Sequence, residues 1–316
     1  LKYVNPLIDK IIVGSYLSTV KKTPAIYGKL YELSESADNL NDFSMTVNKL
    51  LSYRIHSLIN EFNPDIVVCT HPFALQMMSN LKSKKKVTVP VIAVLTDFVL
   101  HPLWLRDCID AYIVAHEFMR HQMIEKGFSP DIVHSFGIPV SRNFLERTDR
   151  KQVLRELGLD DKLTILIMGG SLGFGGVRKV FRSLLNSKSD LQIIALSGSN
   201  EKLREKLEQY ARESHNKKVR VVGYTDRVSY YMDASDFIVT KTGGMTVAES
   251  LVKKLPILII SPIPGQEEGN ANFLLNNGAA VRITSSDSID SVLYQLLHNP
   301  LRLKQMKEMA EFLAKP

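Results

Sequence analysis

Short apolar runs alternate with longer amphipathic stretches along the whole chain. In the first part, runs rich in Val, Ile and Ala are typical of buried strands. They are residues 64–70, 89–95, 111–115 and 131–135. Apolar residues recur at helical spacing in the stretches around them, notably residues 41–62, 73–82 and 117–127. Continuous apolar strands that alternate with helices predict a parallel sheet covered on both faces.

A second alternating series follows in the other half of the chain. Its apolar runs are residues 164–168, 191–196, 219–222, 236–240, 255–261 and 279–283. The last stretch, residues 301–313, has the pattern of a closing helix. The segment from Gly137 to Phe144 separates the two series, and its Gly and Pro predict a linker.

The pattern therefore predicts an α/β protein with two doubly wound, Rossmann-like domains, residues 1–143 and residues 144–316. Such sheets bind ligands outside the carboxyl ends of their strands, so we expect the site to lie in a cleft between the domains. The first domain opens without a Gly-rich strand-to-helix turn, and we expect it to lack its first strand, with further residues before Leu1. Whether the last helix packs back on the first domain stays open.

The stretch Lys241-Thr-Gly-Gly-Met-Thr-Val-Ala-Glu249 joins a predicted strand to a predicted helix. Gly243 and Gly244 stand where the strand gives way to the helix N-terminus, which carries unpaired N–H groups and the positive end of the helix dipole. This is a suitable place for a phosphate. Glu249 follows one turn later, where a carboxylate would repel a phosphate but can accept hydrogen bonds from a pair of sugar hydroxyls.

A loop rich in polar groups is predicted after the next strand. The segment Pro262-Ile-Pro-Gly-Gln-Glu-Glu-Gly-Asn270 supplies Gly265, Gln266, Glu267 and Asn270. A phosphate cradle and a hydroxyl-binding loop on neighbouring strand ends together indicate a nucleotide-sugar site.

Another glycine-rich turn, Gly169-Gly-Ser-Leu-Gly-Phe-Gly-Gly176, follows the first strand of the second domain. It is not a Walker loop, because Gly176 stands where Lys is required, and it lacks the third glycine of a dinucleotide fingerprint. Two interpretations remain: a tight structural turn, or a turn whose N–H groups and Ser171, beside Gly170, face a diphosphate.

The loop after the first domain's central strand, Thr96-Asp-Phe-Val-Leu-His-Pro-Leu-Trp104, offers candidate chemistry. Asp97 and His101 are candidates for proton transfer or for positioning an acceptor hydroxyl. The alternative is that they cap or bond locally. The loop's apolar side chains are either buried core or a surface for a lipid acceptor.

Composition narrows the class of protein. The 316 residues carry a formal charge of +7 and a mean hydropathy of −0.03, which excludes a membrane-spanning or disordered chain. The basic excess suits nucleotide phosphates, an anionic bilayer or nucleic acid. Cys69 and Cys108 are expected to be reduced core thiols of a cytoplasmic protein.

Metal binding is not expected from the sequence. His116 and His121 are five residues apart, so they do not share a helix face, and we expect both to be solvent-exposed helix histidines. The chain has no Asp-x-Asp. We therefore expect no metal on the diphosphate, whose charge would be stabilised by the helix N-terminus and the glycine turns.

Several of these segments together resemble the monogalactosyldiacylglycerol synthase family, which includes the processive diacylglycerol glucosyltransferases, and more distantly the MurG peptidoglycan glycosyltransferase. The matching segments are Thr96-Asp-Phe with His101 and Trp104, Gly137-Ile-Pro139, Met168-Gly-Gly-Ser171, Gly223-Tyr224, Lys241 to Glu249, and Pro264 to Asn270. They follow family order over nearly the whole chain. The resemblance implies a two-domain GT-B fold.

The resemblance also implies roles for individual residues. Backbone near Gly223 and Tyr224 would contact uracil, and Glu249 would hold the ribose hydroxyls. The diphosphate would be surrounded by Gly170, Ser171, Gly243, Gly244 and Thr246. The hexose would be bound by Gly265, Gln266, Glu267 and Asn270.

The implied reaction is inverting transfer of a hexose from UDP-glucose or UDP-galactose to diacylglycerol, without a metal or other cofactor. The implied place is the cytoplasmic face of the cell membrane, as a peripheral protein on an anionic surface, with no nucleic acid as partner. Family members carry a Gly-Gly-His-type loop near the N-terminus, which this chain lacks, so Asp97 and His101 are expected to be auxiliary. The alternatives are a MurG-like transferase to a polyprenyl-linked acceptor, an epimerase, and a non-catalytic UDP-sugar-binding or membrane-docking module.

Overall fold

The computed structural model describes residues 55–169, 176–214, 216–284 and 287–315. Backbone contacts divide the chain into two compact units. Within the described residues, the first unit runs to Ile138 and includes Ile263–Gln266, and the second comprises Pro139–Pro262 and the chain from Glu267 onward. The boundary expected from the sequence lies a few residues further along, after residue 143.

The first unit contains a parallel sheet of four strands in the order β1-β2-β3-β4. Its strands are β1 (Val67–Cys69), β2 (Val91–Val94), β3 (Ala111–Ile113) and β4 (Val133–His134). Residues 55–62 are helical. Two further helices, α1 (Pro72–Ser83) and α2 (Glu117–Glu125), connect strands, and a short 3-10 helix spans Pro102–Trp104. The alternation predicted from the sequence is thus confirmed over this range.

The second unit contains a parallel sheet of six strands in the order β10-β9-β8-β5-β6-β7. Its strands are β5 (Thr164–Met168), β6 (Gln192–Leu196), β7 (Val219–Val222), β8 (Phe237–Thr240), β9 (Ile257–Ile259) and β10 (Ala280–Arg282). Its helices are α3 (Arg150–Glu156), α4 (Val177–Leu185), α5 (Glu201–Glu213), α6 (Val228–Asp233), α7 (Gly244–Val252), α8 (Gln266–Asn276), α9 (Ile289–Leu297) and α10 (Pro300–Leu313). A 3-10 helix, Arg142–Phe144, lies in the predicted linker.

Both faces of the second sheet are covered. Ile165 and Ile167 belong to a core cluster that includes Phe181 of α4 and Leu207 of α5. Leu166 between them points to the opposite face and is equally buried. Continuous apolar strands such as β5 therefore follow from burial on both sides, as the sequence predicts. The last helix, α10, packs on α7 and α9 of its own unit.

The cysteines differ in environment. Both are free, but Cys69 is buried at the end of β1 whereas Cys108 is exposed. Burial raises the pKa of the Cys69 thiol to about 11. The expectation of two core thiols is therefore wrong for Cys108, because residue 108 lies on the surface turn before β3, where its φ is +60°.

Candidate functional site

The order of strands in the second sheet marks the place where a ligand site is expected. From β5 the chain proceeds outward through β6 and β7, and it then returns to β8, on the other side of β5, before continuing to β9 and β10. The sheet is parallel at this point, so β5 and β8 end side by side. Ligands of open α/β sheets bind at such a switch point, outside the carboxyl ends of the strands.

Glycine caps both helices that follow the switch-point strands. Gly176 precedes α4 with a φ of +74°, and Gly243 precedes α7; neither helix has a side-chain hydrogen bond at its N-cap. The N–H groups of a first helical turn have no partner inside the helix. Since no side chain caps α7, these N–H groups and the positive end of the helix dipole can bind an anion.

The residues before α8 form a shorter loop than the sequence predicts. Gly265 has a φ of +98°, and α8 begins at the next residue, Gln266. Gln266, Glu267 and Asn270 therefore lie on the first turns of a helix, and the predicted polar loop is wrong over these positions. The apolar period is absent there, but Glu267 and Glu268 in the first turn complement the helix dipole and are the missed signal.

Hydrogen bonds and an ion pair join the turn before α7 to the start of α8. Thr242 Oγ1 donates to the carbonyl oxygen of Glu267 at 2.5 Å, and Asn270 Nδ2 donates to the carbonyl oxygen of Thr242 at 3.0 Å. Lys241 forms an ion pair with the Glu267 carboxylate. Thr242 and Asn270 are fully buried. The structure thus brings together the two segments that the sequence singled out.

Glu249 lies on α7, five residues after its first residue, Gly244, and is partly buried. Burial raises the pKa of its carboxyl group to about 7. Among the described residues, no hydrogen bond or ion pair reaches this carboxylate. A desolvated acceptor of this kind can bind a pair of hydroxyl groups, which would restore the hydrogen bonds that burial removes.

Gly223 and Tyr224 follow β7 at the outer edge of the same sheet. Three strand spacings separate β7 from β8, which corresponds to ~14 Å. Tyr224 is exposed, and a side chain at Gly223 would lie 3.5 Å from the guanidinium of Arg204. Gly223 and Tyr224 therefore lie at the same edge of the sheet as the N-terminus of α7, but three strands away from it.

The remaining predicted donor residues can be placed only in part. Gly170 and Ser171 lie outside the described residues. Their turn ends at Gly176, where an added Cβ would lie 3.0 Å from Ser261 Oγ. Ser261 follows β9, so the chain after the glycine turn runs close to the end of that strand. Thr246 lies in the first turn of α7 and is partly buried.

In the first unit, Asp97 and His101 lie in the loop after β2. His101 is buried, and its Nδ1 accepts the Leu103 N–H at 3.1 Å, which caps the 3-10 helix. Burial, and secondarily the charge of Arg106, lowers the pKa of His101 to about 4. The ring is therefore neutral near pH 7 and carries its proton on Nε2. Asp97 is partly buried.

The apolar side chains of this loop divide between the two interpretations. Phe98 and Trp104 are buried, so they belong to the core of the first unit. Val99, Leu100 and Leu103 are only partly buried. The lipid-facing interpretation is thus wrong for the loop's two aromatic residues.

Two further histidines of the first unit cap helices. His71 Nδ1 caps α1 by accepting the Phe73 N–H at 3.3 Å, and His116 Nδ1 caps α2 by accepting the Phe118 N–H at 3.2 Å. His116 is buried, so the expectation of an exposed helix histidine is wrong for it, whereas His121 is exposed. Proline at the first helical position of α1 was the available signal for the cap at His71.

Within the ranges that the structure describes, His, Cys, Asp and Glu side chains form no group of three or more that could hold a metal ion. The same ranges contain no helix that is both long and apolar enough to cross a bilayer.

Family models match both halves of the chain. The model for monogalactosyldiacylglycerol (MGDG) synthase matches residues 1–140, and the model for the glycosyltransferase family 28 C-terminal domain matches residues 164–315. A Bacillus licheniformis protein named processive diacylglycerol beta-glucosyltransferase is 30% identical over 306 residues, which cover 96% of this chain and 79% of that protein.

Solved structures show the fold. Acinetobacter baumannii MurG matches with a TM-score of 0.58 and 20% identity, covering 84% of this chain and 74% of that chain. The UDP-GlcNAc 2-epimerase of Neisseria meningitidis, bound to UDP-GlcNAc, matches with a TM-score of 0.59 and 16% identity, covering 90% and 81%. These likenesses confirm the GT-B class of fold, but the fold alone does not separate a transferase from an epimerase.

Proposed function

This chain belongs to the monogalactosyldiacylglycerol synthase family, which includes the processive diacylglycerol glucosyltransferases, and we propose that it transfers a hexose from a UDP-sugar to diacylglycerol. Its family makes it a UDP-sugar-dependent hexosyltransferase of glycolipid synthesis. The observation that carries the proposal is the junction of α7 and α8. There an uncapped, glycine-led helix N-terminus adjoins the carboxylate and amide groups that a sugar requires.

The donor is proposed to lie along the carboxyl edge of the second sheet. The diphosphate would contact N–H groups at Gly243, Gly244 and Thr246, together with the turn of Gly170 and Ser171. The positive end of the α7 dipole supports this placement. As the C–O bond to the hexose breaks, the same N–H groups would stabilise the charge that develops on the leaving UDP.

The two ends of the donor are assigned by distance from that helix terminus. Glu249, which is poorly solvated, would accept hydrogen bonds from the ribose hydroxyls, and the uracil would extend toward Gly223 and Tyr224. The ~14 Å between β8 and β7 suits an extended nucleotide. The hexose would lie on the other side, against Gly265, Gln266, Glu267 and Asn270 at the start of α8.

Acceptor chemistry is proposed for the first unit, with direct attack of the lipid hydroxyl and inversion at the anomeric carbon. Nδ1 of His101 is already committed to the Leu103 N–H, so its ring carries the proton on Nε2 and is a proton donor there. A proton donor orients an acceptor oxygen but does not remove its proton. Asp97 is the better candidate for an auxiliary base.

Two exposed aromatic residues support a lipid acceptor. Phe118 is 60% exposed at the start of α2, and Phe136 is 68% exposed just after β4. Both follow the carboxyl ends of adjacent strands, and Ser135 donates a hydrogen bond to Glu117 between them. We propose that this edge meets the cytoplasmic face of an anionic membrane, to which the protein is peripherally bound.

The membrane proposal can be tested with salt-dependent sedimentation on anionic vesicles. Replacing Phe118 and Phe136 with Ser should reduce association. Phe62→Ser is a matched control, because Phe62 is 77% exposed but lies where the chain leads into the amino end of β1. Equal loss with the control would contradict the assigned face.

The proposed reaction is tested by mass spectrometry of lipid products. The full-length protein is given diacylglycerol in mixed micelles with UDP-glucose or UDP-galactose in separate reactions. We expect a hexosyl-diacylglycerol from at least one donor and its loss in Glu249→Ala. Transfer only to a polyprenyl-linked acceptor would instead establish the MurG-like alternative, and release of an epimerised UDP-sugar without lipid product would overturn the proposal.

A further inference from the structure

The ion pair between Lys241 and Glu267 is held firmly at the junction of α7 and α8. The side chains are 18% and 13% exposed, so both are largely desolvated. The backbone of Glu267 is fixed because its carbonyl oxygen accepts the Thr242 hydroxyl at 2.5 Å. Asn270 fixes the other segment through the carbonyl oxygen of Thr242. The Glu267 carboxylate is therefore positioned by contacts on both its backbone and its charged end.

This carboxylate lies beside the proposed diphosphate site. A Cβ added to Gly243, the N-cap of α7, would be only 4.0 Å from Glu267 Oε1. When a ligand is bound, its negatively charged diphosphate would therefore lie next to the negatively charged carboxylate of Glu267. Like charges a few ångströms apart in a partly desolvated site repel each other appreciably.

On the basis of the proposed function, we propose that Glu267 is a specificity-determining residue that makes the site prefer the intact UDP-hexose to UDP, and that Lys241 is its positioning counter-ion. A hexose places hydroxyl groups against the carboxylate, and their hydrogen bonds offset its repulsion of the diphosphate. UDP lacks those hydroxyls and carries additional negative charge on its terminal phosphate. The same carboxylate therefore favours donor binding and product release.

Lys241 makes this arrangement possible. Its ammonium group neutralises much of the carboxylate's charge and fixes its direction, so that Glu267 can stand next to a diphosphate at all. Without the lysine, the carboxylate would be buried without its counter-charge, which is costly. Lys241 would also attract the diphosphate directly.

Calorimetric titration with UDP and with UDP-glucose tests the proposal. Glu267→Gln should tighten UDP binding by about three- to tenfold, because it removes a like charge without changing shape. Binding of UDP-glucose should stay unchanged or weaken, so that the preference for the donor falls. In steady-state assays the same variant should be more strongly inhibited by UDP, with a lowered kcat where product release limits the rate.

Neighbouring variants serve as controls. Glu268→Gln removes an adjacent carboxylate that pairs with Arg282 at 2.7 Å, and it should leave the ratio of UDP to UDP-glucose affinity unchanged. Lys241→Met should weaken both ligands. Adding Glu267→Gln to Lys241→Met should restore much of the UDP affinity, and Lys241→Arg should preserve the wild-type preference.

The inference is overturned if Glu267→Gln leaves UDP affinity unchanged or lowers it, or if Glu268→Gln has the same effect. The proposed function fails separately. If the unmodified protein does not bind UDP, or if Glu249→Ala binds UDP as tightly as the unmodified protein, the donor site itself is misassigned.

Discussion

The helices that follow strands of the two sheets differ in how their N-termini are satisfied. In the first unit, imidazoles of His71 and His116 cap α1 and α2. In the second unit, Gly176 and Gly243 precede α4 and α7 with no capping side chain, and these helices follow the adjacent central strands β5 and β8. At a capped N-terminus a side chain already accepts one of the free N–H groups, whereas an uncapped N-terminus can offer all of them to a ligand.

The difference is positional and not a property of the whole second unit. Asn200 caps α5, which follows β6, and Ser288 caps α9, which follows β10. The glycine caps are thus found where the sheet's strand order reverses, the place at which α/β sheets bind ligands. An open N-terminus is not confined to the switch point, since α6, which follows β7, also lacks a side-chain cap; α4 and α7 differ from α6 in having glycine at the N-cap.

The largest effect is expected at the carboxylate on α7. Glu249→Ala should weaken UDP binding by ~1.5–3 kcal/mol, because charge-assisted hydrogen bonds to the ribose hydroxyls are lost. Calorimetry measures this change. Unaltered UDP affinity would show that the nucleotide does not lie along α7. The open N-terminus of α7 would then not be linked to nucleotide binding.

Closing the open helix end should have the next largest effect. Gly243 has a φ of −65° and a ψ of 135°, which suit other residues, so Gly243→Ser should place a hydroxyl on the first-turn N–H groups. UDP affinity should fall by ~1–2 kcal/mol through competition for those groups, while the free energy of unfolding rises by a few tenths of a kcal/mol.

Gly243→Ala distinguishes the effect of a capping hydroxyl on UDP affinity from the steric effect of an added side chain. Its methyl group would approach nothing closer than the Glu267 oxygen at 4.0 Å, and it cannot accept a hydrogen bond. UDP affinity should therefore remain near that of the unmodified protein. Equal losses in the Ser and Ala variants would show that space, and not the open N–H groups, is what the ligand requires.

The ionisation of Glu249 is expected to change the affinity for UDP-glucose about tenfold with pH. Its pKa is raised to about 7, and the ionised form is the better acceptor for the ribose hydroxyls. Affinity for UDP-glucose should therefore decrease as the pH falls through 7, by roughly tenfold between pH 8 and pH 6 if only the ionised form binds. The titration uses UDP-glucose and not UDP as the ligand, because the diphosphate of UDP-glucose has no group that titrates in this pH range.

The same titration has the opposite sign for stability. Because the folded pKa lies above the ordinary value of 4.5, the unfavourable burial of the charged form is absent below pH 4.5 and fully present above pH 7. Glu249→Gln should abolish the pH dependence of UDP-glucose binding and raise the Tm at pH 8 more than at pH 4. A persistent pH dependence in that variant would assign the titration to another group.

The smallest effect on UDP affinity is expected from changes at the histidine-capped helices of the first unit. His116→Ala removes the cap of α2 and a contact between Nε2 and the Phe98 carbonyl oxygen at 3.3 Å. The first unit should lose ~1 kcal/mol of stability, as measured by denaturant unfolding, with UDP affinity unchanged. His116→Asn should retain much of the stability, since Asn is also a good cap. A loss of UDP affinity in His116→Ala would contradict the division between closed and open helix ends.

The sequence predicts the sheets well because their strands are buried on both faces and are therefore continuous apolar runs. It also places Gly243 and Glu249 correctly on a strand-to-helix junction, because glycines followed by helical apolar spacing are a local signal. The start of α8 was missed, since Gln266 to Asn270 lack an apolar period and Asn270 is buried by a hydrogen bond to a residue 28 positions away. Long-range polar contacts of this kind leave no local pattern.

The histidine caps illustrate the same limit. His71 and His101 each precede a proline that begins a helix, so the Pro was visible, but whether an imidazole points at the backbone depends on the packed loop around it. The pairing of Lys241 with Glu267 likewise requires the two turns to meet in space.

Hydrogen–deuterium exchange with and without UDP tests the central claim most directly, because it reads the helix N-termini of both units in one experiment. We expect UDP to protect the amides of Gly244 to Thr246 at the start of α7, with no added protection at the starts of α1 and α2. Protection at the histidine-capped helices, with α7 unchanged, would contradict the account.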